Sequence, residues 1–160
     1  MNIVLVEPQI PQNTGNIART CAATGSALHL CGPLGFSIEE AAVKRAGLDY
    51  WPLLTLHRHD SIEALMDAHP GSAFFFFSTH APRSYHEVSY PPDAFLVFGK
   101  ETAGLPRELV ERHAQQAVRI PMRSDARSLN LSNSVALSLY EALRQNDFPG
   151  LTLEGGYALV

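Results

Sequence analysis

Three polar, glycine-containing segments carry the residue types that could do chemistry in this chain of 160 residues. The first segment, NTGNIART at residues 13–20, combines amide side chains with one arginine, Arg19. One interpretation is structural: Asn13 caps a helix and Arg19 lies on its surface. The alternative is a clamp for phosphate or hydroxyl groups, because the planar guanidinium fork matches the geometry of phosphate.

The second segment is FGKETAGLP at residues 98–106, where Gly99 and Gly104 follow a hydrophobic run. Glycine at such a point permits a positive φ and a close approach of the backbone to a ligand. The segment is not a P-loop, because the Gly-Lys-Ser/Thr ending is missing. A plain turn between a strand and a helix is the alternative interpretation.

The third segment, residues 120–135, is a polar loop that leads into a helix with Ser128, Asn130, Ser132 and Asn133 near its start. Such residues favour helix caps and are poor in helix interiors. Their number exceeds the need of a single cap. We therefore expect the N–H groups at the helix start, together with side-chain amides, to face a polar ligand.

Other kinds of site have weaker support in the sequence. His57, His59 and Asp60 could ligate a metal, but solvated surface residues explain them more simply, and we expect no metal site. Cys21 and Cys31 offer neither a disulfide framework nor a four-ligand site, and small buried apolar residues are their simplest role. Neither the Gly-x-Ser-x-Gly elbow of hydrolases nor the Gly-x-Gly-x-x-Gly of dinucleotide sites is present.

The elements that must position the three segments alternate between strands and helices. Strands are predicted at residues 2–7, 27–31, 53–57, 73–79, 95–98 and 117–121. Helices are predicted at residues 13–25, 38–46, 61–68, 106–112 and 129–145. This alternation predicts an α/β domain with a mostly parallel sheet. Each polar segment follows a strand, which is where α/β sheets bind ligands.

Composition narrows the possible classes further. A length of 160 residues and a hydrophobic fraction of 46% indicate one globular domain, residues 1–160. The net charge of −4 argues against a basic wrapper of nucleic acid, although it leaves room for a local basic patch. The longest apolar run, residues 73–77, is too short to span a bilayer, and the N-terminus does not fit a signal peptide. We expect a soluble, cytoplasmic protein with no membrane partner.

Taken together and in this order, the three segments resemble the SPOUT superfamily of methyltransferases. The resemblance covers nearly the whole chain, including NIVLVEP at residues 2–8 and RAGLDY at residues 45–50. It implies a mostly parallel sheet with helices on both faces, a C-terminal trefoil knot and a homodimer. Because no RNA-binding domain is added, the chain is similar to the minimal branch. That branch implies S-adenosylmethionine-dependent 2′-O-methylation of the tRNA wobble nucleotide, cytidine or uridine 34.

The resemblance also implies which residues form the site. The positions that match the family's catalytic residues are Arg19, Asn13, Glu101, Ser128 and Asn130. Those that would bind the cofactor are Phe77, Ser78, Thr79, Gly99, Gly104, Ile120, Met122, Ser128, Leu129 and Asn133. The resemblance implies an arginine used as a base, but a guanidinium stays protonated at neutral pH and is therefore a poor base. We therefore expect Arg19 to orient the ribose hydroxyl and Glu101 to hold the second segment.

With tRNA as the partner, the basic residues near the last two segments should form one positive groove, completed by Arg19 of a second subunit. These residues are Lys100, Arg107, Arg112, Arg119, Arg123 and Arg127. Two alternatives stay open. One is the same chemistry on another tRNA or rRNA nucleotide, and the other is a non-catalytic dimer that binds the cofactor or RNA.

Overall fold

The computed structural model describes residues 1–37 and 50–155, so the predicted helix at residues 38–46 lies outside the described residues. Within them the strands are β1 (Asn2–Val6), β2 (Ala27–Cys31), β3 (Thr55–His59), β4 (Phe74–Phe77), β5 (Arg83–Ser84), β6 (Phe95–Phe98) and β7 (Ala117–Arg119). The helices are α1 (Pro11–Thr24), α2 (Ile62–Ala68), α3 (Arg107–Arg112) and α4 (Leu131–Gln145). Three short 3-10 turns lie at Trp51–Leu53, Tyr85–Glu87 and Ala114–Gln116.

The strands form one sheet in the order β3-β2-β1-β6-β4-β7-β5. Every pairing between neighbouring strands is parallel, which confirms the predicted α/β class. Parallel strands end at the same edge of a sheet. The segments that follow β1, β4, β6 and β7 therefore leave the sheet side by side.

Helices cover both faces of the sheet, as expected. Alternate residues of β1 separate the two cores, because successive strand side chains point to opposite faces. Ile3 and Leu5 pack in a cluster with residues of α1 and α4. Val4 and Val6 pack in the opposite cluster with residues of α2 and α3. None of the helices that the structure describes is long and apolar enough to cross a membrane.

Several predicted boundaries differ from the structure for local reasons. Helix α1 begins at Pro11, two residues earlier than predicted, because the fixed φ of proline suits the first turn of a helix. Strand β3 begins at Thr55, since Trp51–Leu53 forms a 3-10 turn instead of extended chain. Strand β5 is only two residues long and carries no periodic pattern, so the sequence did not predict it. Cys21 and Cys31 are free and buried, as predicted.

Histidine side chains pack together on one face of β2 and β3. His29 is only 4% exposed, and its Nδ1 lies 3.0 Å from Nε2 of His59. Its Nε2 lies 3.3 Å from Oδ1 of Asn2, and the ring of His57 stacks at a centroid distance of 4.7 Å. Burial, followed by the neighbouring histidines, lowers the pKa of His29 to about 3. The folded protein therefore holds His29 neutral where an unfolded chain would protonate it.

Stability should consequently fall as the pH drops below the ordinary histidine pKa of 6.5. Below this pH the unfolded state binds a proton at His29 that the folded state does not bind. His29 alone therefore lowers the unfolding free energy by up to about 1.4 kcal/mol for each unit that the pH falls. Urea unfolding between pH 7.5 and pH 5 measures this slope. His29→Gln, which cannot titrate, should flatten the slope by nearly one proton. An unchanged slope would contradict the buried neutral imidazole.

Candidate active site

A cleft of about 590 Å³ lies at the carboxyl edge of the sheet, where the segments after β1, β4, β6 and β7 meet. Nine of the ten residues predicted to bind the cofactor line this cleft: Phe77, Ser78, Thr79, Gly99, Gly104, Ile120, Met122, Ser128 and Leu129. The tenth, Asn133, is exposed on α4 outside the lining. A volume of this size is typical of a pocket for a small organic ligand.

The predicted catalytic residues divide into two groups. Asn13, Glu101, Ser128 and Asn130 line the cleft. Arg19 does not: it is exposed on α1, and its guanidinium carbon lies 4.7 Å from the centroid of the Tyr50 ring. Within one chain, four of the five residues therefore lie together in the cleft, and Arg19 lies outside it.

The carboxylate of Glu101 connects the second segment to the beginning of α1. Its Oε2 accepts a 2.9 Å hydrogen bond from the backbone N–H of Gln9. Its Oε1 accepts hydrogen bonds from the backbone N–H of Ile10 at 3.1 Å and from Nδ2 of Asn13 at 3.0 Å. Burial alone would raise the pKa of Glu101, but these donors stabilise the charged form and hold the pKa below its usual value of 4.5.

Asn13 passes this connection on to the third segment. Its Oδ1 accepts a 3.1 Å hydrogen bond from Nδ2 of Asn130. Asn130 is in turn the N-cap of α4, because its Oδ1 accepts from the backbone N–H groups of Ser132 and Asn133 at 2.9 and 3.3 Å. Glu101, Asn13 and Asn130 thus form one hydrogen-bonded chain, called the motif relay below, that joins all three polar segments.

Two expectations about helix ends were wrong. Asn13 does not cap α1: the N-cap is Ile10, α1 has no side-chain cap, and the Asn13 side chain bonds instead to Glu101 and Asn130. The start of α4 does not present free N–H groups at Ser132 and Asn133, since the Asn130 side chain accepts from both. At α4, a side chain within the protein therefore takes the place that a ligand was expected to fill.

The second segment is a tight loop closed on itself. The backbone N–H of Gly104 donates to the carbonyl of Lys100 at 2.8 Å. A Cβ on Gly99 would lie 2.0 Å from the carbonyl carbon of Gly104 and 2.1 Å from the nitrogen of Leu105. Gly104 has φ of +70°, the left-handed conformation that favours glycine, with open space around it. The close approach at Gly99 is therefore to the loop's own backbone.

The six basic residues predicted to share one groove do not all line the same cleft of this chain. Three of them pair with carboxylates of the same chain: Lys100 with Glu7 at 2.7 Å, Arg107 with Glu111 at 2.6 Å and Arg123 with Asp125 at 3.0 Å. Arg112 lines a second cleft, on the α2 and α3 side. Only Lys100 and Arg127 of the six line the candidate active site.

Residues that the sequence analysis did not single out for the site also line the cleft. His80 follows Thr79 at the end of β4, and Ile10 precedes α1. They lie three and four residues after the ends of β4 and β1, and this position near a strand end was the signal available. Among the described residues, no group of three or more histidines, cysteines or carboxylates could hold a metal ion.

The two loop glycines should differ sharply in their tolerance of alanine. Gly99→Ala places a Cβ against backbone that cannot move without opening the loop, and should cost about 3 kcal/mol of unfolding free energy. Gly104→Ala meets no atom within 4 Å and should cost only about 1 kcal/mol of φ strain. Urea unfolding of both variants measures the difference. Equal losses would mean that the loop is not closed as described.

Replacing the carboxylate of Glu101 should lower the stability of the fold and should also reduce the dependence of that stability on pH. Glu101→Gln removes a charged acceptor from three donors and should cost about 1–3 kcal/mol of unfolding free energy. Because the folded-state pKa lies below 4.5, this stabilisation is present above that pH and is lost as the pH falls through the folded value. Unfolding between pH 7 and pH 3 measures both effects. The exposed Glu154→Gln is the matched control, and indistinguishable variants would contradict the role of the relay.

Comparison with known proteins agrees with this geometry. The SpoU rRNA Methylase family matches residues 1–140. The tRNA (cytidine(34)-2′-O)-methyltransferase of Escherichia coli K12 is 44% identical over 154 residues, which cover 96% of this chain and 98% of that protein.

Solved structures agree as well. One from work on the 2-OH methylation of C/U34 on tRNA has a TM-score of 0.86 at 46% identity, covering 91% of this chain and 95% of that one. The SpoU methyltransferase AviRb of Streptomyces viridochromogenes, in complex with AdoMet, has a TM-score of 0.79 at 26% identity, covering 92% of this chain and 58% of that one. The resemblance based on the three segments is therefore confirmed, and the chain belongs to the SpoU methylase family of SPOUT methyltransferases.

Proposed function

We propose that this protein methylates the 2′-oxygen of the ribose at the tRNA wobble position, cytidine or uridine 34, with S-adenosylmethionine as methyl donor. The observation that carries the proposal is the convergence of the three segments on one cleft, tied by the motif relay. Similarity to the Escherichia coli enzyme over 96% of this chain supports the choice of reaction and substrate.

The lining of the cleft fits S-adenosylmethionine. Phe77, Ile120, Met122 and Leu129 offer apolar surface for the adenosine, while hydroxyl groups of residues such as Ser128 offer polar partners. When bound, the cofactor supplies the electrophilic methyl group of its sulfonium. AdoMet in the complex of AviRb supports this assignment.

The chain's residues then have two tasks. The 2′-hydroxyl must approach in line and lose its proton as the new oxygen–carbon bond forms, and positioning supplies much of the rate. Arg19 orients this hydroxyl and stabilises the negative charge that develops on its oxygen. The proton passes to a substrate phosphate or to water. Glu101, Asn13 and Asn130 act by fixing the loops around the cleft, and Ser128 contributes a hydroxyl inside it.

The proposal includes a homodimer, which the position of Arg19 supports. This side chain is exposed and lies outside the cleft of its own chain, where a second subunit could receive it. Leu137 and Tyr140 on α4 are 47% and 48% exposed and offer apolar surface for such an interface. We include in the proposal a C-terminal trefoil knot and a cytoplasmic location. Strand β7 lies between the earlier strands β4 and β5, and this insertion of a late strand supports the knot. The hydrogen bond from Asn130 to Asn13 then ties the segment after β7 to α1. The tRNA substrate supports the cytoplasmic location.

The direct test is transfer of label from S-adenosylmethionine to unmodified bulk tRNA by the purified protein, followed by nucleoside mapping. We expect 2′-O-methylcytidine or 2′-O-methyluridine at position 34 and a large loss of transfer in Arg19→Ala. Label at another tRNA position, or label only when rRNA is supplied in a parallel reaction, would replace the proposed substrate by a different RNA. Cofactor binding without any transfer would identify a non-catalytic binding protein.

Sharing of Arg19 between subunits has its own test. Arg19→Ala and Ser128→Ala each damage a different part of the site, and we expect both variants alone to be nearly inactive. In co-expressed dimers, half of the molecules pair one chain of each kind and regain one intact site, about one quarter of the wild-type activity. Activity no higher than that of the two variants measured separately would mean that each chain uses its own arginine.

A further inference from the structure

Tyr50 holds the guanidinium of Arg19 through two contacts. The guanidinium carbon lies 4.7 Å from the centroid of the tyrosine ring, within the range of a cation–π interaction. Nη2 of Arg19 also donates a 3.3 Å hydrogen bond to the Tyr50 hydroxyl. The same aromatic side chain thus restrains both the position of the cation and its direction.

Tyr50 is itself anchored by the turn that follows it. Its carbonyl accepts a 2.9 Å hydrogen bond from the backbone N–H of Leu53, and the N–H of Leu54 donates to Trp51 at 3.1 Å. The turn Trp51–Leu53 packs against α1, and Leu54 packs against the core. The residue that carries the tyrosine ring is therefore joined to a turn that packs against the helix carrying Arg19.

Arg19 has little else to restrict it within the described chain. It is exposed on α1, and it lines neither of the two clefts. A free arginine side chain has many rotamers, and a group that must meet a ribose hydroxyl loses much of that freedom in the reaction. A partner that restricts those rotamers beforehand lowers this cost.

We propose that Tyr50 is a positioning residue for Arg19 in methyl transfer. It restrains the guanidinium outside the cleft of its own chain, in the orientation from which Arg19 serves a 2′-hydroxyl. The inference rests on the proposed function for its kinetic consequence, while the restraint of Arg19 by Tyr50 is independent of it.

The kinetic test uses two substitutions in the full-length protein. Tyr50→Leu removes the ring and the hydroxyl and should lower kcat about three- to tenfold, with KM for tRNA changed less than about twofold. Tyr50→Phe retains the ring and should recover most of the loss. In an Arg19→Ala background, Tyr50→Leu should have no further effect, because the side chain that it positions is gone. A rise in kcat for Tyr50→Leu, or equal losses with and without Arg19, would overturn the proposal.

A second measurement follows the arginine itself. NMR relaxation of the guanidinium group reports its order, and Tyr50→Leu should make Arg19 more mobile while Arg144, paired with Glu141 at 2.9 Å, is unchanged. Unchanged order at Arg19 would overturn the restraint. Greater mobility with an unaltered kcat would overturn its role in methyl transfer. If the wild-type protein transfers no methyl group to any RNA, the proposed function fails, and the NMR result still decides whether Tyr50 restrains Arg19.

Thermal unfolding of each Tyr50 variant identifies a loss of activity that comes from misfolding. A Tyr50→Leu protein that unfolds at the wild-type temperature and binds S-adenosylmethionine normally has lost only positioning. If the Tyr50→Leu protein is unfolded, the proposal is tested with Tyr50→Phe instead. Removal of the hydroxyl alone should then reduce the order of Arg19 and lower kcat slightly, and no change in either would count against the proposal.

Discussion

The candidate active site depends on where one carboxylate finds its hydrogen-bond donors. Glu101 accepts from Gln9, Ile10 and Asn13, which lie about ninety residues earlier in the chain. A partly buried carboxylate is costly unless donors surround it, and hydrogen bonds to a charged group are worth about 1.5–3 kcal/mol each. The segment after β6 therefore cannot separate from the start of α1 without exposing or stranding a charge. Asn13 extends this constraint to Asn130, so that the three segments form one unit.

The parallel sheet brings the three segments together, and the geometry of helix α1 explains why Arg19 lies outside this unit. Strands β1, β6 and β7 run in the same direction and deliver their following segments to a common edge. On α1, Asn13 and Arg19 are six residues apart, a rotation of about 120° between their side chains. Asn13 faces Glu101, and Arg19 must therefore face another direction, where Tyr50 meets it. The same rotation that completes the relay directs the arginine away from the cleft of its own chain.

How far the sequence predicts this arrangement depends on whether a signal is local. The strands, and the loops that follow them, were predictable because buried runs such as Phe74–Phe77 are distinctive and α/β sheets bind ligands at strand ends. The hydrogen bonds that Ile10 and Asn13 donate to Glu101 were not, because about ninety residues separate the partners. The role of Gly99 was not predictable either, because a Cβ at this position would clash with Gly104, and only the folded loop brings the two residues together. The pairing of Lys100 with Glu7, which also lies about ninety residues earlier, likewise appears only in the structure.

These ion pairs bear on how an acidic protein could act on RNA. Arg107 and Arg123 are exposed, and their pairs with Glu111 and Asp125 are surface pairs, which solvent screens and which contribute little to stability. A phosphate can displace a carboxylate from such an arginine at little cost in free energy, because the guanidinium donates paired hydrogen bonds to either anion. With a net charge of −4, the free protein as a whole repels nucleic acid weakly over long distances. Binding of a tRNA would then depend on the few places where phosphates replace carboxylates, which favours one geometry over indiscriminate adhesion.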